Sequence, residues 1–417
     1  MKPMCLASAF LALALLNASA AFRAGIAVRN VSPDPLLPVV GGAGPSHPVK
    51  AKAGELTVRA LVLEEGTNRV AIVSSDFLGF PSVLCNRVRA AVNELPADNI
   101  LIGATHTHSA PDCYGFPLDP GGVTSASPAY LETVCGRMAE ALKEAVSNLQ
   151  PVRLKLATGE AKGKIAYNYY AEQLYDPRCH VIQALDESGR PVATLVNYAI
   201  HPEVLGSEVG LCSPDLVGPL YDRLATKGGG VGIFMNSAQG GMVTADNRQP
   251  GGREARDWAE CVRIGTLLAD EALRIVQDAP MQENPKLFCA ARVITLPVEG
   301  PLMLALMKQM PGFGAAGNSV KAQVNLVNIG NAQILTIPGE ALPNIGYYLK
   351  RKMRGGHNLL FGLTNDAYGY ILTKEDYDSF KRYAYITRTS LGEQTADILE
   401  TELLKLVGEC PPAGSGR

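Results

Sequence analysis

The chain has 417 residues, with 38 basic against 40 acidic side chains, a formal net charge of −2 and 47% apolar residues. This balance, with no basic block, argues against nucleic acid as a partner and gives an anionic membrane no electrostatic hold. The length suffices for one large domain or two ordinary ones.

Residues 1–20 read as a secretory signal peptide: Lys2, an apolar core from Leu6 to Leu16 too short to span a bilayer, and the small-residue cleavage site Ala18-Ser19-Ala20. A secreted or periplasmic protein cleaved near Ala20 is expected. Cys5 lies too early for a lipoprotein cysteine. No later run is long enough for a transmembrane segment, so membrane contact is expected to be transient and superficial. Eight of the nine cysteines lie beyond Ala20, scattered and without a Cys-x-x-Cys pair. That excludes a thiolate zinc ribbon and leaves disulfide pairing open.

Residues 21–56, rich in Gly and Pro, read as a surface loop. Thr57–Leu63 and Arg69–Ser75 alternate apolar and polar residues about a turn, a hairpin ending at Asp76. Pro81 and Ser82 open a helix, and Ile100-Leu101-Ile102 is a buried strand that runs into GATHTHSAPDCYG, residues 103–115. Ser127-Pro128 starts a second helix as N-cap and first-turn proline. Two strands flank the turn at Glu187–Pro191, the second running into His201-Pro202. The strand Val231–Met235 ends in NSAQGGMVTADN, and a helix covers about Glu254 to Gln277. Residues 301–320 read as irregular, with enough apolar character to meet a lipid-like ligand. A hairpin about Gly330-Asn331 ends at Pro338-Gly339-Glu340. Leu359–Leu363 is a strand before TNDAYGYILT, and a helix from Thr395 to Val407 precedes a tail, 409–417, expected to be disordered. No internal repeat or composition break is visible.

These spacings predict an α/β fold of mixed β-sheets flanked by helices. It forms a single large domain over 21–408, with the site at loops following the strands. Those loops carry Asp76, His106, His108, His201, Thr244, Glu340, Tyr368 and Tyr370. Strand ends that converge on a rigid sheet are where ligand sites form. Two His-x-His imidazoles can face one way from an extended backbone. Joined by a third His and a carboxylate, they make a donor set suited to catalytic zinc. Each residue alone has an ordinary alternative: a satisfied core histidine for His201, a helix cap for Glu340, core packing for the tyrosines, a backbone-bonding hydroxyl for Thr244.

An ordered series of segments resembles the catalytic domain of the neutral, non-lysosomal ceramidases. ATHTHSAP is similar to their THTHSGP, LVNYAIHPEVLG with SPDLVGPL to their histidine-proline strand and acidic loop, and ILTIPGEAL to their PGE motif. NDAYGYILTKEDYDSFKRYAY is similar to their tyrosine-bearing segment. The series spans about residues 25 to 395. The resemblance implies one zinc ion per chain held by His106, His201, Glu340 and Tyr370. It implies His108 beside the metal as a proton carrier or substrate contact, and Tyr383 as donor to a developing oxyanion. Thr244 stands at the family's serine position. The family's neighbouring Asp is Met242, its arginine gives way to the Tyr167-Asn168-Tyr169-Tyr170 stretch, and its C-terminal β-sandwich domain has no counterpart in these residues.

The function expected is a secreted zinc-dependent hydrolase of an N-acyl amide bond, ceramidase-like, on a small-molecule or lipid-like substrate. The alternatives are a same-fold metal hydrolase of another N-acyl, ester or sugar-derived compound, and an inactive secreted binding protein. A barrel-type amidohydrolase also uses His-x-His at a strand end, but the hairpins and PGE segment argue against it.

Overall fold

A computed structural model describes residues 21–115, 126–309 and 317–414; the expected signal segment lies outside the described residues. One order of elements recurs three times: three antiparallel strands, a helix, a strand parallel to its neighbour, and a longer helix. The first round has strands Arg23–Asn30, Thr57–Glu65 and Asn68–Ser75, helix Ser82–Ala90, strand Ile100–Ala104 and helix Pro128–Ser147. The second has Arg153–Glu160, Arg178–Leu185 and Pro191–Tyr198, then Val217–Thr226, Val231–Asn236 and Trp258–Gln277. The third has Leu287–Pro297, Ser319–Ile329 and Ala332–Thr336, then Pro343–Lys352, His357–Phe361 and Thr395–Glu409. Each round makes one mixed sheet with its parallel strand at an edge. The α/β class with mixed sheets and flanking helices is therefore observed, but the absence of an internal repeat is corrected. The repeat lies in the order of elements and leaves no periodic motif in the residues.

The inner faces of all three sheets meet in one core, where Leu61, Ile72 and Leu101 from the first pack with Leu195 and Ile233 from the second and Ile334 and Phe361 from the third. Each outer face is covered by its own helices, in three further apolar clusters. Strands apolar on both faces are what such double coverage requires. Close approach is built in at Gly25, where a Cβ would stand 2.0 Å from the Ala145 carbonyl of the covering helix.

Three expectations are corrected. Residues 21–56 are not all loop: RAGIAVRN is a strand inside the first sheet, hidden in a Gly- and Pro-rich average. The segment from 301 is not irregular at its start, because Pro301–Gln309 is a helix of strong helix formers after an N-terminal proline. The tail is ordered as far as it is described: the last helix runs to Glu409, Cys410 is buried, and the Gly414 amide donates to the Gly330 carbonyl at 2.8 Å. The eight cysteines from Cys85 to Cys410 are free thiols. Among the described residues no helix is long and apolar enough to cross a membrane.

Asp76, at the end of the first hairpin, turns inward to accept from the Thr57 amide and hydroxyl, both at 2.8 Å. Burial lifts its pKa to about 6, against the opposing pull of Arg59 and Thr57. A carboxyl raised on folding stabilises below its unfolded value of 3.8 and loses that contribution as pH rises through 6. Asp76→Asn is expected to flatten the pH dependence of urea unfolding of the metal-free chain between pH 4 and 7 by up to about 3 kcal/mol. An unchanged profile would show that Asp76 is not the titrating group.

Candidate metal centre

The three sheets each deliver a ligand-type residue to one point. His106 follows the edge strand of the first sheet, His201 the second hairpin, and Glu340 the third hairpin. Glu340 and Tyr370 are register partners in a short parallel pair, so the third sheet brings both. Thr244 bridges His201 in the same way. The turns that aim these groups hold non-glycine residues at positive φ: His106 at 75°, Met242 at 66°, Asp215 at 54° and Asn365 at 70°. Such backbone persists where the surroundings over-determine it, and it clusters at functional sites.

His106 Nδ1 donates to the Leu78 carbonyl at 2.5 Å, and His201 Nδ1 to the Val243 carbonyl at 2.8 Å. With Nδ1 committed to a carbonyl, each ring in its neutral form turns an Nε2 lone pair outward. Both lone pairs face Glu340 Oε2, at 3.3 Å from His106 and 3.0 Å from His201. Tyr370 Oη lies 3.5 Å from His201 Nε2. Separations of this size are edges of a four-donor shell with bonds of about 2.0 Å. Imidazole lone pairs turned on a carboxylate oxygen repel unless a proton or a metal cation stands between them, and two nitrogens converging on one oxygen fit a metal ion. Donor atoms of His106, His108 and His201, all buried, also lie within 4.8 Å of one another.

The electrostatics follow. Burial disfavours a charged Glu340, but His106 and His201 outweigh it and hold the carboxyl well below its usual range. Burial likewise opposes a charged His201, yet with no metal bound Glu340 holds a proton on its Nε2 and raises it to about 9, a proton that stands where an ion would. Burial, with His106 and His201 adding to it, keeps His108 neutral, far below an ordinary imidazole. Burial and Glu340 push the Tyr370 phenol well up.

His108 Nδ1 is 3.3 Å from Glu203 Oε2, and its buried Nε2 has no hydrogen-bond partner. The ring stands between two openings. One is an apolar cavity of about 70 Å³ lined by His106, Glu340, Tyr370, Tyr385, Met303 and Leu306 among others. The other is a polar pocket of about 240 Å³ that includes Glu203, Thr244, Glu254 and Arg256. Thr244 is half-buried and faces this polar side.

Tyr383 is not among the cavity-lining residues. Its ring packs on Tyr170, at 5.0 Å between centroids, and on Phe380. Tyr385 lines the cavity instead, its ring 5.9 Å from that of Tyr370. Two positions apart at a helix start point to nearly opposite sides, so one tyrosine faces the cavity when the other turns away. Sequence reasoning missed Tyr385 because its residue type repeats at 383. It missed Glu203 as well, although its place two residues after His201 was a usable signal.

Gly240 sets the loop against the third sheet. Its amide donates to the Ala341 carbonyl at 2.9 Å, and a Cβ there would stand 2.1 Å from the Glu340 carbonyl oxygen. Gly240→Ala is expected to cost about 1–3 kcal/mol of stability and to lower metal affinity by displacing Glu340. Unchanged thermal unfolding with full metal binding would contradict that packing.

The fold and this centre define a three-sheet α/β protein with a two-histidine, carboxylate and tyrosine donor set at strand ends. No family model matches the chain. Neutral ceramidase B of Dictyostelium discoideum is 26% identical over an alignment of 257 residues, taking in 52% of this chain and 34% of that protein. The chain thus spans about a third of the length of that curated relative. The solved neutral ceramidase from Pseudomonas aeruginosa superposes with a TM-score of 0.77 at 17% identity, covering 95% of this chain and 76% of that one. A ceramidase complexed with C2 gives 0.74 at 17% identity, covering 95% and 77%. The chain has the neutral ceramidase fold, and its sequence resembles that family as the ordered segments imply.

Proposed function

We propose that the chain is a secreted zinc-dependent hydrolase of N-acyl amides, ceramidase-like. The observation that carries this reading is the pair of Nε2 atoms of His106 and His201 converging on Glu340, with Tyr370 completing the set. The donor chemistry, two imidazoles with oxygen ligands, suits zinc. A zinc ion held there supplies Lewis acidity toward an amide carbonyl and makes water a nucleophile near neutral pH.

The chain's own groups do the rest. His108, neutral and with a free Nε2, takes a proton from the attacking water and returns it to the leaving amine. The Glu203 carboxylate, 3.3 Å from His108 Nδ1, favours the proton on that nitrogen and so the tautomer that leaves Nε2 open. The oxyanion donor expected of Tyr383 is assigned to Tyr385, whose ring lines the cavity. Burial pushes the Tyr385 phenol up to about 12, which keeps it a donor at neutral pH. Thr244 offers a hydroxyl to the amine side of the substrate. The acyl chain enters among Leu78, Met303 and Leu306, where apolar lining excludes water.

A second reading of the substrate is favoured by the polar pocket beside His108. Glu203, Glu208, Glu254 and Arg256 line it, an environment that suits a compact hydrophilic amine better than a long sphingoid chain. The deciding experiment is metal analysis of the purified protein after dialysis, followed by hydrolysis assays. The assays hold the acyl group constant and vary the amine between sphingosine and an amino sugar. About one zinc per chain with amide cleavage is the expected result. A metal-free protein that binds these compounds without turnover would replace the enzyme with a binding protein. The preferred amine selects between the two substrates.

A further inference from the structure

The two openings that share His108 differ in size and in chemistry: about 70 Å³ on the apolar side and about 240 Å³ on the polar side. An apolar cavity of about 150 Å³ holds benzene, so the smaller opening has room for roughly three heavy atoms, the carbon, oxygen and methyl of an acetyl group. Its walls are fixed: Met303 and Leu363 are buried, and Tyr114 Oη donates to the Ala367 carbonyl at 2.8 Å, tying two lining residues together. The polar opening sets three carboxylates, Glu203, Glu208 and Glu254, against one guanidinium, Arg256. Arg256 is already engaged by Glu254 at 3.0 Å and lies 4.0 Å from Glu208. Tyr169 lines the same opening with its ring edge-on to Tyr170, 5.5 Å between centroids, and is 65% exposed. Where the two openings meet, His108 is only 9% exposed, and its Nε2 has no hydrogen-bond partner.

Resting on the hydrolase reading above, we propose that the substrate is an N-acetylated amino sugar, with its acetyl group in the apolar opening and its sugar ring in the polar one. A sugar ring carries hydroxyls around its edge and C–H groups on its faces. The hydroxyls donate to the carboxylates in charge-assisted bonds. A C–H face lies on Tyr169, whose ring offers an apolar body with a polar tip. An amine that bears its own carboxylate meets Glu203, Glu208 and Glu254 with like charge, and Arg256 is occupied. A sphingoid amine brings a hydrocarbon tail that would strip water from those carboxylates without replacing its bonds. A long acyl chain overfills the smaller opening. Hydrolysis breaks the amide C–N bond and forms a bond from the water oxygen to the acyl carbon. One proton of that water passes by His108 to the leaving nitrogen. The other stays with the acid, which loses it to solvent as acetate, and the free amino sugar departs.

The test uses the purified, zinc-loaded chain and two substrate comparisons. N-acetylglucosamine against N-hexanoylglucosamine varies only the acyl group; N-acetylglucosamine against N-acetylsphingosine and N-acetylglutamate varies only the amine. Passing from acetyl to hexanoyl is expected to lower kcat/KM about 100-fold, and either change of amine by as much. Met303→Ala enlarges the apolar opening and should raise the hexanoyl-to-acetyl ratio about tenfold. Tyr169→Ala should lower kcat/KM for N-acetylglucosamine about tenfold, through KM rather than kcat. Equal or faster turnover of the hexanoyl amide, or of either other amine, overturns the proposal and leaves the hydrolase reading intact. If no amide is cleaved, saturation-transfer NMR with glucosamine separates the two readings. Binding that is lost in Tyr169→Ala upholds the sugar site and removes the hydrolase, and no binding overturns the sugar site as well.

Discussion

His201→Ala is expected to give a folded protein that neither retains metal nor hydrolyses amides. His201 is fully buried, and it supplies one of the two imidazole lone pairs turned on Glu340. Loss of a partner that merely orients a ligand costs about 10–100-fold in metal affinity, and loss of the donor itself should exceed that. The backbone around it survives, because the His201 amide donates to the Val243 carbonyl at 2.8 Å whatever the side chain is. The measurement is zinc content after dialysis, beside turnover of an N-acyl substrate. Wild-type activity in a well-folded variant would remove His201 from the ligand set.

A second large effect is expected at a group that touches none of the proposed donors. Lys350 is buried on the helix Pro343–Lys352, where its ammonium meets Asp176 at 2.9 Å, His180 Nε2 at 3.2 Å and Ser237 Oγ at 3.4 Å. His180 in turn shares the Thr158 hydroxyl with His357, each at 2.9 Å. Burial lowers the Lys350 pKa, with Asp176 opposing. Lys350→Ala takes away one charge and leaves Asp176 buried with Arg178 as its remaining cation. Breaking a buried pair costs about 3–5 kcal/mol. Arg178 is half exposed and keeps its bonds to Asp176, so the loss should fall near the lower end. Urea unfolding at neutral pH measures it, and Lys350→Met, which keeps most of the volume, is expected to lose less. Metal content should not change in either variant, since Lys350 touches none of the proposed donors. A loss below about 1 kcal/mol would mean that the pair contributes no more than a surface bridge.

How much of this was legible depends on whether the signal was local. His106, His201 and Glu340 each close an apolar strand, and the polarity change at a strand end is written in a few adjacent residues. Ser127 as N-cap of Pro128–Ser147 was legible for the same reason, its side chain accepting from the Tyr130 amide. The strand Leu287–Pro297 was not, because its side chains are largely half-exposed and show no clean alternation. The helix at Pro301 was lost by averaging it with the glycines that follow. The threefold order of elements could not be read from residues, since the three rounds fill equivalent places with different side chains. Where the second and third hairpins end in His201 and Glu340, the first ends in Asp76, which bonds to Thr57 instead. Tyr385 was hidden by Tyr383, because only the local helix decides which of two like residues faces inward.

The proposed donors of the centre are drawn from all three rounds of the chain: His106 from the first, His201 from the second, Glu340 and Tyr370 from the third. An ion bound there is a cross-link between stretches that are remote along the chain. His106 and His201 are 95 positions apart (201 − 106), and His201 and Glu340 are 139 apart (340 − 201). Tying such long loops withdraws freedom from the unfolded ensemble as a covalent bridge does, and the gain grows only slowly with loop length. With every described cysteine from Cys85 onward left as a free thiol, that reversible tie would be the only clasp of its kind among the described residues. Chelation should therefore act on the whole chain, lowering the unfolding temperature of all three sheets together rather than loosening one loop.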